Sequence, residues 1–152
     1  MGPLSVAALT DITGTRLYLD TNVIIYAAEG TAALPASLKG ALLRVDAGQL
    51  SAVTSELTLA EVLVKPLRDQ DAAMIQRYES RLTSGPSLTD APVSRGILAR
   101  AAELRAGQTS LKLPDAIHAA TALLHGCTTF LTNDARFETV GPLPVLLLSR
   151  MP

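Results

Sequence analysis

The strand candidates constrain this chain most. Arg16–Leu19, Leu50–Val53, Thr128–Leu131 and Pro144–Leu148, with a weaker one near Leu88, are short and apolar and do not alternate with polar residues. Strands of that character are buried on both faces, as in a parallel sheet covered by helices. Helical patterns fill the intervals, at Asn22–Glu29, Pro35–Ala47, Ser55–Lys65, Asp69–Leu82, Pro92–Ala106 and Pro114–His125. Gly30, Gly48, Gly107 and Gly126 stand where these helices should stop, and Pro35, Pro92 and Pro114 where three should start. The alternation predicts an α/β doubly wound domain, which binds ligands outside the carboxyl ends of its strands.

At 152 residues the chain has room for one domain. Residues 16–150 are expected to form it, after a loose extension over residues 1–15, an expression remnant or the product of an upstream start. Apolar residues make up 48% and charged residues only 18%, a globular composition with ample material for a core. The single Cys127 cannot form an internal disulfide and reads as a small apolar residue ahead of a strand, which suits a reducing cytoplasm. Apolar runs such as Val23–Ala28 and Val145–Leu148 fall far short of the ~18 residues of a membrane span. Met1–Leu9 lacks the positive region of a secretory signal. A net charge of −1 provides no global field for nucleic acid, so any polyanion must be met by a local basic patch.

Four acids carry the chemical interest. Asp20 follows the apolar strand Leu17-Tyr18-Leu19 and precedes a helix; it either serves a site at the strand's carboxyl end or caps the helix, as Thr21 also can. Glu61 interrupts the nearly apolar run Leu57–Val64, where a carboxylate removed from water needs a partner. Its other reading is a capping box with Thr58; Ser55 is the better N-cap and moves Glu61 into the helix interior. Asp115, after Pro114, suits a first helical turn by dipole alone. Asp134, beyond Thr132 and Asn133, suits the cap of a short helix through Phe137. Together, two acids just past strands and two on helices are able to face one crevice.

Such a gathering dictates its counterion. Two carboxylates 4 Å apart repel by roughly 4 kcal/mol at an effective dielectric near 20, so without compensation some would be protonated. An all-oxygen set suits Mg²⁺ or Mn²⁺, and the chemistry that follows is metal-assisted phosphodiester hydrolysis.

These residues resemble the PIN-domain ribonucleases, in particular the small VapC-type toxins of toxin–antitoxin pairs. The likeness runs from about Arg16 to Ser149 through Leu19-Asp20-Thr21-Asn22-Val23, then Ser55, Thr58 and Glu61, then Pro114-Asp115-Ala116-Ile117-His118-Ala119-Ala120-Thr121-Ala122, then Leu131-Thr132-Asn133-Asp134 with Phe137. It implies a three-layer α/β/α fold with a parallel sheet of about five strands. It also implies Mg²⁺ or Mn²⁺ held by Asp20, Glu61 and Asp115, with Asp134 as a fourth acid. Asn22, Thr132 and Asn133 match supporting polar positions. The family cleaves single-stranded or looped RNA by in-line attack of water activated by the metal, leaving a 3′ hydroxyl and a 5′ phosphate. It commonly dimerises, and a cognate antitoxin covers its acidic groove. The stretch before the first strand is longer than usual for the family.

His118, three residues beyond Asp115, reads either as a contact at the site or as a satisfied partly buried histidine. Arg136 is placed to meet substrate phosphate or to pair with an acid. Lys65, Arg68, Arg77 and Arg81 read as solvated faces or as a phosphate-contacting rim, and His125 as a complement to a helix C-terminus. With 3 Tyr, 2 Phe and no Trp, base stacking is a minor grip, and RNA binding should weaken with salt. A haloacid-dehalogenase-like phosphatase would want an acid where Asn22 stands, and a receiver domain a lysine after the late strand. A PIN-family RNA-processing nuclease and a non-catalytic PIN-like binding module remain the alternatives.

Overall fold

The computed structural model describes residues 15–30 and 34–151; of the expected N-terminal extension, only Thr15 lies within them. In chain order the elements are β1 (Arg16–Leu19), α1 (Thr21–Glu29), α2 (Ala36–Asp46), β2 (Ser51–Ser55), α3 (Leu57–Val62), α4 (Val64–Arg68), α5 (Ala72–Arg81), β3 (Leu88–Ala91), α6 (Arg95–Gly107), α7 (Leu113–Leu124), β4 (Thr129–Thr132) and β5 (Val145–Leu147). Short 3₁₀ helices follow β4 at Ala135–Thr139 and β5 at Leu148–Arg150. Every strand pairing is parallel, in the order β3-β2-β1-β4-β5. The chain leaves β1 for β2 on one side and returns as β4 on the other. That reversal opens a crevice beyond the carboxyl ends of β1 and β4.

Successive residues of each strand serve opposite cores. Leu17 and Leu19 of β1 and Leu131 of β4 pack with α1, α2 and α5. Tyr18 and Phe130 pack on the other face with α6 and α7. The result is the expected three-layer α/β/α arrangement. In α7, Ala116, Ala119, Ala120 and Ala122 are buried, and their small side chains let the helix lie close to the sheet. No helix among the described residues is long and apolar enough to cross a membrane.

Three expected helices differ from the structure. The single helix over Ser55–Lys65 is divided at Leu63 into α3 and α4, because Pro66 has no N–H for the carbonyl of Val62 and its ring would collide with it. Pro92 does not start a helix: Ser94 caps α6, accepting from Ile97 N–H at 3.3 Å. Likewise Asp71, not Asp69, opens α5 by accepting from Met74 N–H at 3.0 Å. Gly30 ends α1 in the left-handed conformation, φ 62°, and donates to the Tyr26 carbonyl, a geometry that costs glycine little. Cys127 is partly buried and its thiol is pushed up to about 12 by burial, consistent with a packing role.

At the sheet edge, burial, with the Glu56 charge nearby, raises Asp90 of β3 from 3.8 to about 6, and its Oδ1 is buried without a hydrogen-bond partner. An acid whose folded pKa is raised holds its proton more tightly when folded. Its penalty is absent below the unfolded value and appears as pH rises from about 4 to about 6. Asp90→Asn is therefore expected to stabilise the chain by ~1 kcal/mol at pH 7.5, a value reduced for solvent screening, and to give no gain at pH 4. Urea denaturation at the two pH values checks this; an equal gain at both would exclude charge as the cause.

Candidate active site

The register Leu19↔Leu131 brings the end of β1 beside the end of β4, and Asp20 N–H donates to the Leu131 carbonyl at 3.1 Å. Asp20 is 5% exposed. Its Oδ1 accepts from Thr21 N–H at 2.9 Å, while Oδ2 accepts from Thr132 Oγ1 at 2.6 Å and Asn22 Nδ2 at 3.1 Å. Asp20 thus caps α1 and also faces the crevice, so its two readings are compatible. Burial raises its carboxyl above the ordinary range, against the hydrogen bonds that favour the charge.

Asn22, Thr132 and Asn133 brace this corner. Asn22 Oδ1 accepts from Asn133 N–H at 3.1 Å, and Thr132 Oγ1 accepts from Asp134 N–H at 3.0 Å. Asp134 caps the following 3₁₀ helix, accepting from Arg136 N–H at 3.0 Å. The Arg136 guanidinium takes both of its carboxylate oxygens, with a shortest contact of 2.6 Å, and stands 4.0 Å from Asp115 Oδ2. Those bonds hold Asp134 below the usual carboxylate range. Asp115, in the first turn of α7, is raised chiefly by burial; the Arg136 charge opposes this, and the charges of Asp134 and Asp20 add to it.

Glu61 lies on α3 with its side chain 36% exposed, not buried as its apolar neighbours suggested, yet it is firmly partnered. Its Oε1 accepts from Thr21 Oγ1 at 2.9 Å and pairs with His118 Nε2 at 2.5 Å. Burial would raise its carboxyl, but hydrogen bonds from His118 and Thr21 leave it lowered. Thr58 is no cap: it is buried against Thr54, 2.9 Å between hydroxyls, and Ser55 Oγ accepts from Leu57 N–H instead.

Some expected roles change. His118 is 2% exposed and pairs through Nδ1 with the Tyr18 hydroxyl at 2.5 Å; so deep a ring meets the site through Glu61 rather than by touching a substrate. Arg77, exposed on α5, donates to the Ala28 carbonyl at 3.0 Å. The His125 imidazole is disfavoured as a cation by burial and the Arg16 charge, so it does not complement the end of α7. Sequence reasoning passed over Tyr18 and the Thr21 hydroxyl. A tyrosine in a doubly buried strand was the available signal, because its O–H must find a partner.

The carboxyls of Asp20 and Asp115 are both raised chiefly by burial, a cost to their charged forms that a bound cation would offset. An oxygen-only set in that condition fits a hard divalent cation. The basic side chains Arg136 and His118 are engaged by Asp134 and Glu61. Among the described residues no three acidic, histidine or cysteine side chains lie close enough to form a ready ligand cluster. The crevice therefore carries the donors without a closed coordination shell.

Comparison with solved structures finds the same fold in toxin–antitoxin assemblies. VapBC2 from Rickettsia felis, bound to a DNA fragment from its promoter, matches with TM-score 0.69 and 18% identity, over 88% of this chain and 98% of that chain. FitAcB from Neisseria gonorrhoeae matches with TM-score 0.66 and 19% identity, over 89% and 99%. A toxin–antitoxin complex from Klebsiella pneumoniae reaches 26% identity at TM-score 0.63, over 87% and 97%. A search of curated protein sequences gave no match. The PIN domain family profile matches residues 17–142. That stretch runs from the strand before Asp20 to beyond Asp134 and so contains the whole crevice. With that match over most of its length, the chain belongs to the PIN domain family.

Proposed function

We propose that this chain is a Mg²⁺- or Mn²⁺-dependent endoribonuclease and the toxin of a toxin–antitoxin pair. What supports this reading is that the four acids are linked pairwise through shared partners: Asp20 and Glu61 both accept from Thr21, and Arg136 binds Asp134 while standing 4.0 Å from Asp115, with Asp20 and Asp115 both raised chiefly by burial. Asp20, Glu61 and Asp115 would hold the cation. When bound, it supplies charge neutralisation at the scissile phosphate and activation of water. Asn22, Thr132 and Thr21 fix Asp20 so that no reorganisation is needed when charge develops. Arg136, exposed at the mouth, is free to exchange Asp134 for a substrate phosphate. Its likeness to toxin–antitoxin complexes supports an antitoxin as partner, and a homodimer is the assembly the family implies.

The test is cleavage of single-stranded RNA by the purified chain in Mg²⁺ or Mn²⁺, with and without EDTA. Expected is endonucleolytic cutting that EDTA stops and excess metal restores; cutting that persists in EDTA would overturn the reading. Binding to the folded state alone stabilises it by ~2.7 kcal/mol at a hundredfold excess over Kd. Saturating Mn²⁺ should therefore raise Tm by roughly 5–10 °C, read by differential scanning calorimetry.

A further inference from the structure

We propose that Tyr18 and His118 form a buried bridge that positions Glu61, a role that rests on the nuclease reading above. Tyr18 stands on β1 and His118 on α7, and both lie in the core between sheet and helix, 0% and 2% exposed. Polar side chains at that depth are costly unless every hydrogen-bonding group is used. The ring's two nitrogens have different partners: Nδ1 meets the Tyr18 hydroxyl and Nε2 meets Glu61 Oε1, each at 2.5 Å.

Donor and acceptor bookkeeping fixes the direction. Burial holds the Tyr18 phenol protonated, so its O–H is available to donate. Its O–H is thus the donor toward Nδ1. Glu61 can only accept, so the ring proton belongs on Nε2. The Thr21 hydroxyl, 3.3 Å from Nε2, gives its own proton to the same Glu61 oxygen. Both donors take Oε1, which leaves Oε2 as the oxygen for a ligand in the crevice. Without them Glu61, on a six-residue helix and more than a third exposed, would sample many rotamers. Tyr18 and His118 are positioning residues: neither reaches the crevice itself.

The first measurement is ¹⁵N NMR of the imidazole in the full wild-type chain without metal. Expected is a single tautomer with the proton on Nε2 and none on Nδ1; a proton on Nδ1 overturns the bridge. The second is Mn²⁺ affinity by isothermal titration calorimetry. Removing such outer hydrogen bonds typically weakens metal binding ~10–100-fold. Within that range His118→Leu should show the full loss and Tyr18→Phe a smaller one. His118→Gln, which keeps a donor for Glu61, should recover most of the affinity. Tyr18→Phe removes one hydroxyl and carries the test if the leucine variant does not fold. Wild-type affinity in folded variants overturns the positioning role alone. Failure of the wild-type chain to bind Mn²⁺ overturns the nuclease reading and the positioning role with it.

Discussion

Asp20→Asn is expected to lower RNA cleavage by on the order of 10³-fold or more, the rate equivalent of the several kcal/mol that charge stabilisation at a scissile phosphate supplies. The substitution is nearly isosteric. Thr21 N–H can still donate to the remaining oxygen, and the new amide meets the Thr132 hydroxyl, which can accept as well as donate. What disappears is the charge, at a carboxylate that burial already disfavours, together with the acceptor that Oδ2 offers Asn22 Nδ2. The fold should therefore persist, with Tm in EDTA within a few degrees of the unsubstituted chain, while the rise produced by Mn²⁺ is lost. Expression of the unsubstituted chain without its partner should arrest growth, and expression of Asp20→Asn should not. Full cleavage by a folded Asp20→Asn chain would remove the central acid from the proposed mechanism.

The parallel sheet was legible because its strands are too short and too apolar to face water on either side. Tyr18 and Leu19 show how: adjacent residues, both buried, belong to opposite cores. Helix limits were less legible where two local signals compete. Pro66 stands just beyond the helical pattern Ser55–Lys65 yet breaks it at Leu63, and Pro92 resembles a helix start while Ser94, two residues later, has the hydroxyl that caps. Local pattern reports burial well and hydrogen-bond geometry poorly.

The acids were legible one by one, but their partners were not. Asp20 and Asp134 each also cap a helix, and Asp115 lies in the first turn of α7 without capping it, which is why their sequence contexts were ambiguous: a helix start and a site suit the same residue types. Glu61 was expected to need a partner because of burial. It has one although a third of it is exposed, because α7 delivers His118 from 57 residues away. Arg136 was an open choice between phosphate and acid, and the structure gives the acid, Asp134. The Glu61–His118 pairing depends on the packing of α7 against the sheet and α3, which no local window contains.

The same packing gives the largest expected effect on stability. Phe130 of β4, 0% exposed, stacks on Tyr18 with ring centroids 4.8 Å apart and planes 6° from parallel, and meets Phe137 at 4.7 Å. Phe130→Ala removes both contacts and leaves a cavity between a sheet and a helix layer that cannot both close on it, at a cost of ~3–5 kcal/mol. With ordinary stabilities of about 5–15 kcal/mol, that leaves little margin. At a urea slope near ~2 kcal/mol/M the midpoint should fall by roughly 2 M. Phe130→Leu, which keeps most of the volume, should cost less than about 1.5 kcal/mol. A fall below about 0.5 M for the alanine variant would mean that the layer collapses onto the gap. The site shares the consequence, since Tyr18 supports His118 and Phe137 anchors the 3₁₀ helix capped by Asp134. At temperatures where Phe130→Ala is still folded, its Mn²⁺ affinity should fall along with its stability, whereas Phe130→Leu should retain both.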